Sequence, residues 1–454
     1  MSAFIEHTLS NSEIVQLLQS LERPAYLKSN VASEGFVRDL LVGNPLRVLR
    51  LNTNNEHIAI SEELLLEKDR EVTTSPIGIL HFTKGWVGAA PYPERLVKAE
   101  KSAHRCINDN VNPQHIKSAF LVAAYYTWSY QFDHTLGKGL FYFSDECSNE
   151  ERQKVTALLR ECQTTSGDKK ARLKEGNSDL AGINWRTSQS KKQYQEQFEQ
   201  IQGYIKAGDC YQVNLTQRFE AKHELTNTEL LSFFLRHAED SAANYCAYLC
   251  MSENHQILSF SPEQFLQIDN QRIQTKPIKG TIKNTGELSA EDTSNLRNSK
   301  NLAENLMIVD LLRNDLGKVC ENGSIKVDKL FNVESYKNVH HLVSTISGTI
   351  RPEISPIQAF LSAFPGGSIT GAPKIRAMEV IEELEACARR FYCGSIFYYS
   401  ASGHFDSNIL IRTVERIDDA LLCWGGGGIV SDSEMHSEYQ ESLDKVSQIT
   451  GIYE

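Results

Sequence analysis

A lysine ends a strand-like run in the segment TKPIKGT, residues 275 to 281. On the two-residue period of a strand, one face carries Ile273, Thr275, Pro277 and Lys279. Three of these residues pack well in a core, whereas the fourth carries a charge. Lys279 is therefore either a solvated lysine beyond the end of a strand or an amine held in a cleft, where it can act as a nucleophile or base.

The helix predicted near the C-terminal end carries several charges on one face. In SEMHSEYQESLDKV the spacing i, i+4, i+7, i+11 joins Glu434, Glu438, Glu441 and Lys445. This face is either a solvent-exposed stripe, in which Glu441 and Lys445 form an ordinary pair, or one wall of a site.

The segment CWGGGGIVSDS precedes that helix. Its four glycines, 425 to 428, predict a flexible turn. The next polar residues, Ser431, Asp432 and Ser433, have side chains that commonly cap the first turn of a helix.

A second predicted helix, NLAENLMIVDLLRND, places Glu304 in an otherwise apolar stretch. A buried carboxylate is costly unless an arginine, a lysine or a metal ion accompanies it. Two helices that each bring carboxylates would form an all-oxygen site suited to Mg²⁺. No cluster of histidines or cysteines suggests zinc, and FPGGSITGAPK lacks the spacing of a nucleotide-binding phosphate loop.

Composition narrows the class of protein. The chain has 454 residues, 41% of them hydrophobic and 23% charged, and a net charge of -11. These values indicate a globular protein and argue against a sequence-independent nucleic-acid surface. The N-terminal residues do not resemble a signal peptide, and no apolar run approaches the length of a membrane span, so we expect a cytosolic protein.

The ten cysteines are irregularly spaced and form no CxxC pair, which indicates reduced, mostly buried thiols. None of them lies in the G-x-C-x-G setting of a glutaminase nucleophile.

The order of helical and strand patterns predicts an α+β fold with large sheets. We expect an N-terminal subdomain over residues 1 to 165, a linker or exposed excursion over 166 to 190, and a catalytic region over 191 to 454. Within this region we expect a helix that ends at Gly208, a long helix over 299 to 316, and a single strand in QILSFSPEQFLQI.

Taken in order, DCYQVNLTQRF, SFSPEQF, TKPIKGT, AENLMIVDLLRND, VHHLVSTI, FPGGSITGAPK, GGGIVSDS and EYQES resemble the motifs of the chorismate-utilising enzymes. This family includes anthranilate, aminodeoxychorismate, isochorismate and salicylate synthases. The strong part of the resemblance covers roughly residues 190 to 450. It implies one large α+β unit in which two β-sheets stack and helices surround them.

Two positions distinguish the members of the family. The anthranilate enzymes have alanine at the position of Lys279, and the isochorismate and salicylate enzymes have a lysine base at the position of Gln212. This chain therefore resembles the branch that aminates chorismate at C4, which serves 4-aminobenzoate and folate biosynthesis. In that branch the residue matching Lys279 is a covalent nucleophile, and Glu263 matches the general acid. An anthranilate-forming enzyme and a non-catalytic scaffold subunit are the alternatives.

The resemblance also implies how the site binds its ligands. It assigns Mg²⁺ to Glu304, Glu438 and Glu441. It assigns chorismate to Gly280, Thr281, His341, Tyr398, Arg412, Gly428 and Lys445, with Tyr398 and Arg412 on the enolpyruvyl carboxylate. His340 is predicted to be structural. The implied partner is a separate glutamine amidotransferase subunit that supplies ammonia.

Overall fold

The computed structural model describes residues 3–29, 38–52, 64, 66, 74–93, 119–169, 180–241, 243–284, 286, 288–336 and 339–453. Within these residues no helix is long and apolar enough to cross a membrane. Helices and strands are numbered here along the chain.

The helices of the described part of the chain are α1 (Asn11–Ser20), α2 (Asn149–Lys169), α3 (Lys191–Ala207), α4 (Asn227–Asp240), α5 (Ala290–Leu296), α6 (Ser299–Gly317), α7 (Pro356–Ala363), α8 (Lys374–Leu384) and α9 (Met435–Thr450). Local sequence explains the ends of α3. Ser190 and Gln193 form a reciprocal capping box at its start, and Gly208 closes it in the left-handed conformation with φ 81°. The predicted end of this helix at Gly208 is therefore confirmed.

The first sheet has twelve strands, all paired in antiparallel fashion, in the order β1-β10-β9-β3-β2-β13-β14-β23-β24-β12-β11, and β20 adds to β12. Its strands are β1 (Phe4–Glu6), β2 (Ala25–Lys28), β3 (Arg38–Val42), β9 (Trp128–Asp133), β10 (Lys138–Phe143), β11 (Arg186–Thr187), β12 (Gln212–Lys222), β13 (Tyr245–Ser252), β14 (His255–Ser261), β20 (Gly371–Ala372), β23 (Thr413–Ile417) and β24 (Ala420–Ile429).

The second sheet has ten antiparallel strands in the order β17-β19-β16-β15-β22-β21-β7-β8-β4, and β18 adds to β19. Its strands are β4 (Arg47–Asn52), β7 (Gly85–Ala90), β8 (Ala119–Tyr126), β15 (Gln264–Asp269), β16 (Arg272–Lys276), β17 (Ile278–Lys283), β18 (Lys326–Ser335), β19 (Val339–Thr349), β21 (Ser395–Ser400) and β22 (His404–Asn408). The short strands β5 (Thr74–Ser75) and β6 (Gly78–Ile79) form a separate pair.

The two large sheets stack face to face. The buried layer between them joins residues such as Leu40 and Leu249 of the first sheet to Val87, Val122 and Ile396 of the second sheet. Two further cores lie on the outer faces, where helices cover the sheets. The structure thus confirms the predicted α+β fold of two stacked sheets surrounded by helices.

Both sheets contain strands from before and after residue 165. The boundary predicted at 165 falls inside helix α2, and the regions predicted on either side of 165 and 190 contribute strands to the same two sheets. In the predicted excursion, helix α2 continues to Lys169 and residues 170 to 179 lie outside the described residues. Leu180 and Trp185 are buried, so the segment that follows is packed against the protein.

The single strand predicted for QILSFSPEQFLQI is wrong. Strand β14 ends at Ser261 in the first sheet, and β15 begins at Gln264 in the second sheet. Pro262 and Glu263 carry the chain from one sheet to the other. Apolar residues continue on both sides of the crossing because both strands are covered by buried layers, and this hides the break in the sequence pattern.

Candidate active site

Lys279 lies on β17, just after Pro277 separates β17 from β16. Both strands pair with β19, and the register shifts between Lys279 and Thr281. Gly280 takes φ 72° at this bulge, and a Cβ there would be 2.8 Å from Nδ2 of Asn301 on α6. A glycine is therefore needed for the strand to approach the start of the helix so closely.

The side chain of Lys279 is held in a cleft. It is only 16% exposed, and its Nζ lies 3.6 Å from Oε2 of Glu304 on α6. The alternative of a solvated lysine beyond a strand end is thus wrong. The same contact gives the carboxylate of Glu304 the cationic neighbour that its apolar surroundings require.

Glu263 occupies the crossing between the two sheets and is 6% exposed. Its backbone amide donates to Oγ of Ser261 (3.1 Å), and its carbonyl accepts from the amide of Ile409 (3.1 Å). Ile409 belongs to the second crossing between the sheets, which connects β22 to β23. The two crossings are therefore hydrogen-bonded to each other at the site.

Burial raises the pKa of the Glu263 carboxyl above its ordinary range. A hydrogen bond from Oγ of Ser368 to its Oε1 (2.6 Å), and the charges of Lys279 and Lys445, oppose this shift only in part. The environment thus favours a protonated carboxyl group close to the lysine amine, which is the arrangement a general acid needs.

Residues 425 to 428 form part of strand β24, so the predicted flexible turn is wrong. The four glycines, taken from 425 to 428, pair with these residues of β12 in turn: Gln217, Thr216, Leu215 and Asn214. A Cβ at Gly425 would be 2.1 Å from the carbonyl oxygen of Ser442 on α9, and a Cβ at Gly427 would be 3.3 Å from carboxylate oxygens of Glu438 and Glu441. The glycines therefore allow the last helix to lie directly on the strand.

The predicted cap of α9 is also wrong. The N-cap is Glu434, which makes no side-chain capping bond, and the helix begins at Met435. Ser433 instead donates its hydroxyl to Oε1 of Glu438 at 2.7 Å. Only Glu438 of the predicted helix face is buried, whereas Glu434 is exposed and Glu441 is half-exposed.

Each of the three candidate metal ligands is paired with a different lysine. Glu304 faces Lys279, Oε1 of Glu438 lies 3.2 Å from Nζ of Lys300, and Oε1 of Glu441 lies 2.6 Å from Nζ of Lys445. Partial burial alone would lower the pKa of Lys300, but the charges of Glu438, Glu304 and Glu441 raise it above its ordinary value. The three carboxylates thus converge on one cationic group.

The donor chemistry fits Mg²⁺, since the candidate ligands are carboxylates from two helices and all three act electrostatically on the ammonium group of Lys300. Among the described residues, no group of three His, Cys, Asp or Glu side chains is already arranged around a single point. A metal ion would therefore have to exchange with the lysines that now neutralise these carboxylates.

His341 and Thr281 face each other across β19 and β17, with Nδ1 of His341 2.9 Å from Oγ1 of Thr281. Burial, with a smaller contribution from the charge of Arg412, lowers the pKa of His341 to about 4. Its Nε2 is buried and has no partner within the described residues. The neighbouring His340 contacts Oγ of Ser335 at 2.8 Å, which agrees with the structural role predicted for it.

Arg412 lies on the second crossing between the sheets, with φ 50°, and its carbonyl accepts from the amide of Phe260. Burial lowers the pKa of its guanidinium. In the described part of the chain this partly buried guanidinium forms no ion pair, although an arginine removed from water ordinarily has an anionic partner. An anionic ligand would supply that partner.

Tyr398 lies deeper, in the layer between the sheets. It lines a cavity of about 80 Å³ together with Tyr245, Lys276, Tyr336 and Asp406. Burial raises the pKa of its phenol well above the ordinary range. Tyr398 lines this cavity, whereas the other predicted substrate contacts do not.

Gln212 opens strand β12 and is fully buried. Neither its Oε1 nor its Nε2 has a partner within the described residues. A Cβ at Gly428 would be 2.3 Å from Nε2 of Gln212, so the amide lies against the backbone of the predicted substrate contact. An amide at this position offers hydrogen bonds to a ligand but is not a base.

Sequence reasoning missed three residues of the site, namely Lys300, Ser368 and Ser433. The i, i+4 spacing of Lys300 and Glu304 could have indicated that Lys300 belongs to the site. Ser368 contacts a residue 105 positions away in sequence, and no local pattern indicates this contact. Ser433 lies only five residues before Glu438, but its position predicted a helix cap instead of a contact with that carboxylate.

Comparison with known proteins identifies relatives of this fold and site. The family whose description is chorismate binding enzyme matches residues 39–451. The chain is 47% identical, over 268 residues, to aminodeoxychorismate synthase component 1 of Escherichia coli, and this match covers 58% of each protein. It is 44% identical, over 261 residues, to the chloroplastic aminodeoxychorismate synthase of Arabidopsis thaliana, which covers 56% of this chain and 28% of the plant protein. The chain thus spans little more than half the length of the bacterial relative.

The crystal structure of anthranilate synthase component I from Streptococcus pneumoniae superposes on this fold with a TM-score of 0.73 and 27% sequence identity. The alignment covers 93% of this chain and 94% of that protein. The stacked sheets are therefore shared along nearly the whole chain.

Proposed function

Because this chain belongs to the family of chorismate binding enzymes, we propose that it replaces the C4 hydroxyl of chorismate with an amino group, which gives 4-amino-4-deoxychorismate. The observation that carries this proposal is the placement of Lys279, held in the cleft beside Glu304 and within electrostatic reach of the buried Glu263. The product would be the precursor of 4-aminobenzoate in folate biosynthesis.

The substrate carries two carboxylates, and the site offers cationic groups for both. Arg412, which has no ion pair among the described residues, suits the enolpyruvyl carboxylate because its planar guanidinium donates two parallel hydrogen bonds. Lys445 and the backbone near Gly280 and Gly428 suit the ring carboxylate. Thr281 orients His341, whose free Nε2 then faces the ring.

In the first step Glu263 donates its proton to the C4 hydroxyl, and Lys279 in its neutral amine form adds through Nζ at C2 of the ring. The two ring double bonds shift, the C4–O bond breaks, and water leaves. A covalent intermediate attached to Lys279 results, which divides one difficult displacement into two easier ones.

In the second step ammonia adds at C4, the double bonds shift back, and the C2–N bond to Lys279 breaks. The bonding pair leaves with Nζ, which returns Lys279 to its neutral amine, and the carboxylate of Glu263 takes a proton from the new ammonium group at C4. Chorismate and ammonia are thereby converted to the amino product and water, and both residues return to their initial states.

Mg²⁺ held by Glu304, Glu438 and Glu441 would neutralise the ring carboxylate and orient the ring. The lysines that pair with these residues keep the carboxylates in place before the metal binds.

We further propose that ammonia reaches the site from a separate glutamine amidotransferase subunit, because none of the ten cysteines has the sequence setting of a glutaminase nucleophile. The purified chain should then use ammonium ions and should not use glutamine until such a subunit is added. Turnover of glutamine by this chain alone would contradict this part of the proposal.

The test of the nucleophile is the intact mass of the protein mixed with chorismate and Mg²⁺ in the absence of ammonia. We expect a chorismate-derived adduct on the wild type that maps to Lys279 and is absent from Lys279→Ala. The variant Lys283→Ala removes an exposed lysine of the same strand and should form the adduct normally.

A rate assay with ammonium ions complements the mass measurement. If Lys279→Ala makes the amino product at the wild-type rate, Lys279 is not the nucleophile. Release of pyruvate together with a fluorescent aromatic product would instead identify an anthranilate-forming enzyme.

A further inference from the structure

We propose that Ser368 is a positioning residue that keeps the transferable proton of Glu263 on Oε2, the carboxyl oxygen that faces the substrate. The proposal rests on the proposed role of Glu263 as general acid. It concerns a residue of the glycine-rich loop FPGGSITGAPK, which is one of the family motifs and lacks the spacing of a phosphate loop.

The two oxygens of the Glu263 carboxyl group are in different surroundings. Oε1 accepts a hydrogen bond of 2.6 Å from Oγ of Ser368. No described residue bonds to Oε2, and the positive charges of Lys279 and Lys445 act on the group from β17 and α9. Oε1 therefore faces the protein, and Oε2 is free for the substrate.

The hydroxyl of Ser368 determines where the proton lies. A serine hydroxyl that donates to Oε1 favours the unprotonated, carbonyl form of that oxygen, because the carboxyl oxygen that carries the proton is the poorer acceptor. Among the described residues, Oγ of Ser368 has no acceptor other than Glu263. The stable arrangement thus keeps the serine hydrogen on the Oε1 side and the acidic proton on Oε2.

The backbone around Ser368 is held rigidly, which a positioning role requires. Nδ2 of Asn214 donates to the carbonyl of Ser368 (2.8 Å), and the amide of Asn214 donates to the carbonyl of Thr370 (2.8 Å). Arg389, which is fully buried, donates to the carbonyl of Ile369 (2.9 Å). Three consecutive carbonyls of the loop are therefore fixed.

Lys374 holds the other end of the same loop. Its Nζ donates to the carbonyls of Ala363 and Pro365, each at 2.9 Å, and to Oδ2 of the buried Asp315 on α6 at 2.6 Å. The loop is thus attached to the helix that carries Glu304, so the acid and the metal ligand are positioned relative to each other.

Removing the hydroxyl of Ser368 should lower kcat and raise the pKa of Glu263. The acidic proton would no longer be restricted to Oε2, so kcat should fall roughly tenfold, a fraction of what general acid catalysis contributes. The lost hydrogen bond stabilised the ionised form, so the pKa of Glu263 should rise by about one unit. Because activity requires protonated Glu263 and is lost as pH rises through its pKa, the alkaline fall in kcat/KM should move to higher pH.

The experiment compares Ser368→Ala, Ser368→Thr and Thr370→Val. The threonine variant keeps a hydroxyl at the same position and should restore the wild-type profile. Thr370→Val removes a hydroxyl from the same buried loop, where it bonds only to the carbonyls of Gly366 and Gly367. This control should leave the pH profile unchanged. Thermal melts show that each variant is folded.

The readouts are the pH dependence of kcat/KM with saturating ammonium, and the titration of the Glu263 carboxyl by NMR in ¹³C-glutamate-labelled protein. Lys279, Lys445 and Cys393 are the titratable groups that act electrostatically with Glu263, and all remain in every variant. A higher Glu263 pKa with lower kcat in Ser368→Ala alone would support the proposal.

Equal effects of Ser368→Ala and Thr370→Val would overturn it, because the hydroxyl would then serve only the packing of the loop. An unchanged Glu263 titration in Ser368→Ala would overturn it as well. Full activity of Glu263→Gln would instead refute the proposed general acid, and the NMR titration separates this failure from the other two.

Discussion

Replacing Lys300 with glutamine is expected to tighten the binding of Mg²⁺ in the absence of chorismate. Lys300, Lys279 and Lys445 each neutralise one of the three carboxylates that we propose as metal ligands. With all three pairs formed, the charges of the three lysines and three carboxylates cancel. A divalent cation is therefore only weakly attracted until one lysine leaves its carboxylate.

Lys300 is the lysine best able to leave. Its side chain is 45% exposed and lies in the first turn of α6, whereas the side chain of Lys279 is 16% exposed. Lys445 is held by a second bond, from its Nζ to the carbonyl of Gly426 at 2.8 Å. Binding of the metal would therefore displace Lys300 from Glu438.

The size of the effect follows from the exposure of this pair. An ion pair whose lysine is 45% exposed is screened by solvent and contributes at most about 1 kcal/mol, which corresponds to about fivefold in a dissociation constant. Isothermal titration of Mg²⁺ into the metal-free protein should show this difference between the wild type and Lys300→Gln. Lys283→Gln, which removes one exposed charge from β17, should bind like the wild type.

Two outcomes would refute this reasoning. Equal affinity in all three proteins would mean that Lys300 does not compete with the metal. Absence of Mg²⁺ binding in every protein, including Lys300→Gln, would show that the three carboxylates are not a metal site.

Two further predictions concern Glu415, in the strand that follows the second crossing, and Arg412, on the crossing itself. Glu415→Gln should lower the free energy of unfolding in urea by about 3 kcal/mol, because Glu415 is 1% exposed and accepts two hydrogen bonds of 3.1 Å from Arg390. Arg390, with a contribution from His255, overcomes the effect of burial and lowers the pKa of Glu415 to about 2, so the stability difference between wild type and variant should be complete above about pH 5 and vanish as pH falls towards 2. Arg412→Lys should raise KM for chorismate about tenfold with a smaller change in kcat, because a lysine cannot form two parallel hydrogen bonds to a carboxylate. An unchanged KM would remove Arg412 from the substrate site.

The sequence was sufficient to predict those helices whose positions and ends depend on neighbouring residues. Helix α3 follows from the spacing of its apolar residues and from Gly208, and α6 begins and ends within one residue of its prediction. The glycines of β24 were misread because their function is not local. They are needed where Ser442 lies against the strand, and their partners in β12 are some 200 residues away in sequence.

For the site, the sequence likewise predicted some residues and missed others. Family motifs marked the residues with reactive groups, such as Lys279 and Glu263, but they gave no information on what surrounds them. The contact of Lys300 with Glu438 joins residues 138 positions apart, and that of Ser368 with Glu263 joins residues 105 positions apart. Such contacts depend on tertiary packing, which no periodicity in a single sequence records.

The two crossings between the sheets have a mechanical consequence. Glu263 and Arg412 lie on the chain segments that connect the sheets. The amides of Ile409 and Phe260 donate hydrogen bonds to the carbonyls of Glu263 and Arg412, respectively. The separation and relative sliding of the two sheets therefore set the distance between the proposed proton donor and the group that would hold the substrate. The apolar layer between the sheets acts as a spacer for the active site. A change of volume in that layer, far from any ligand, would be transmitted to both residues at once.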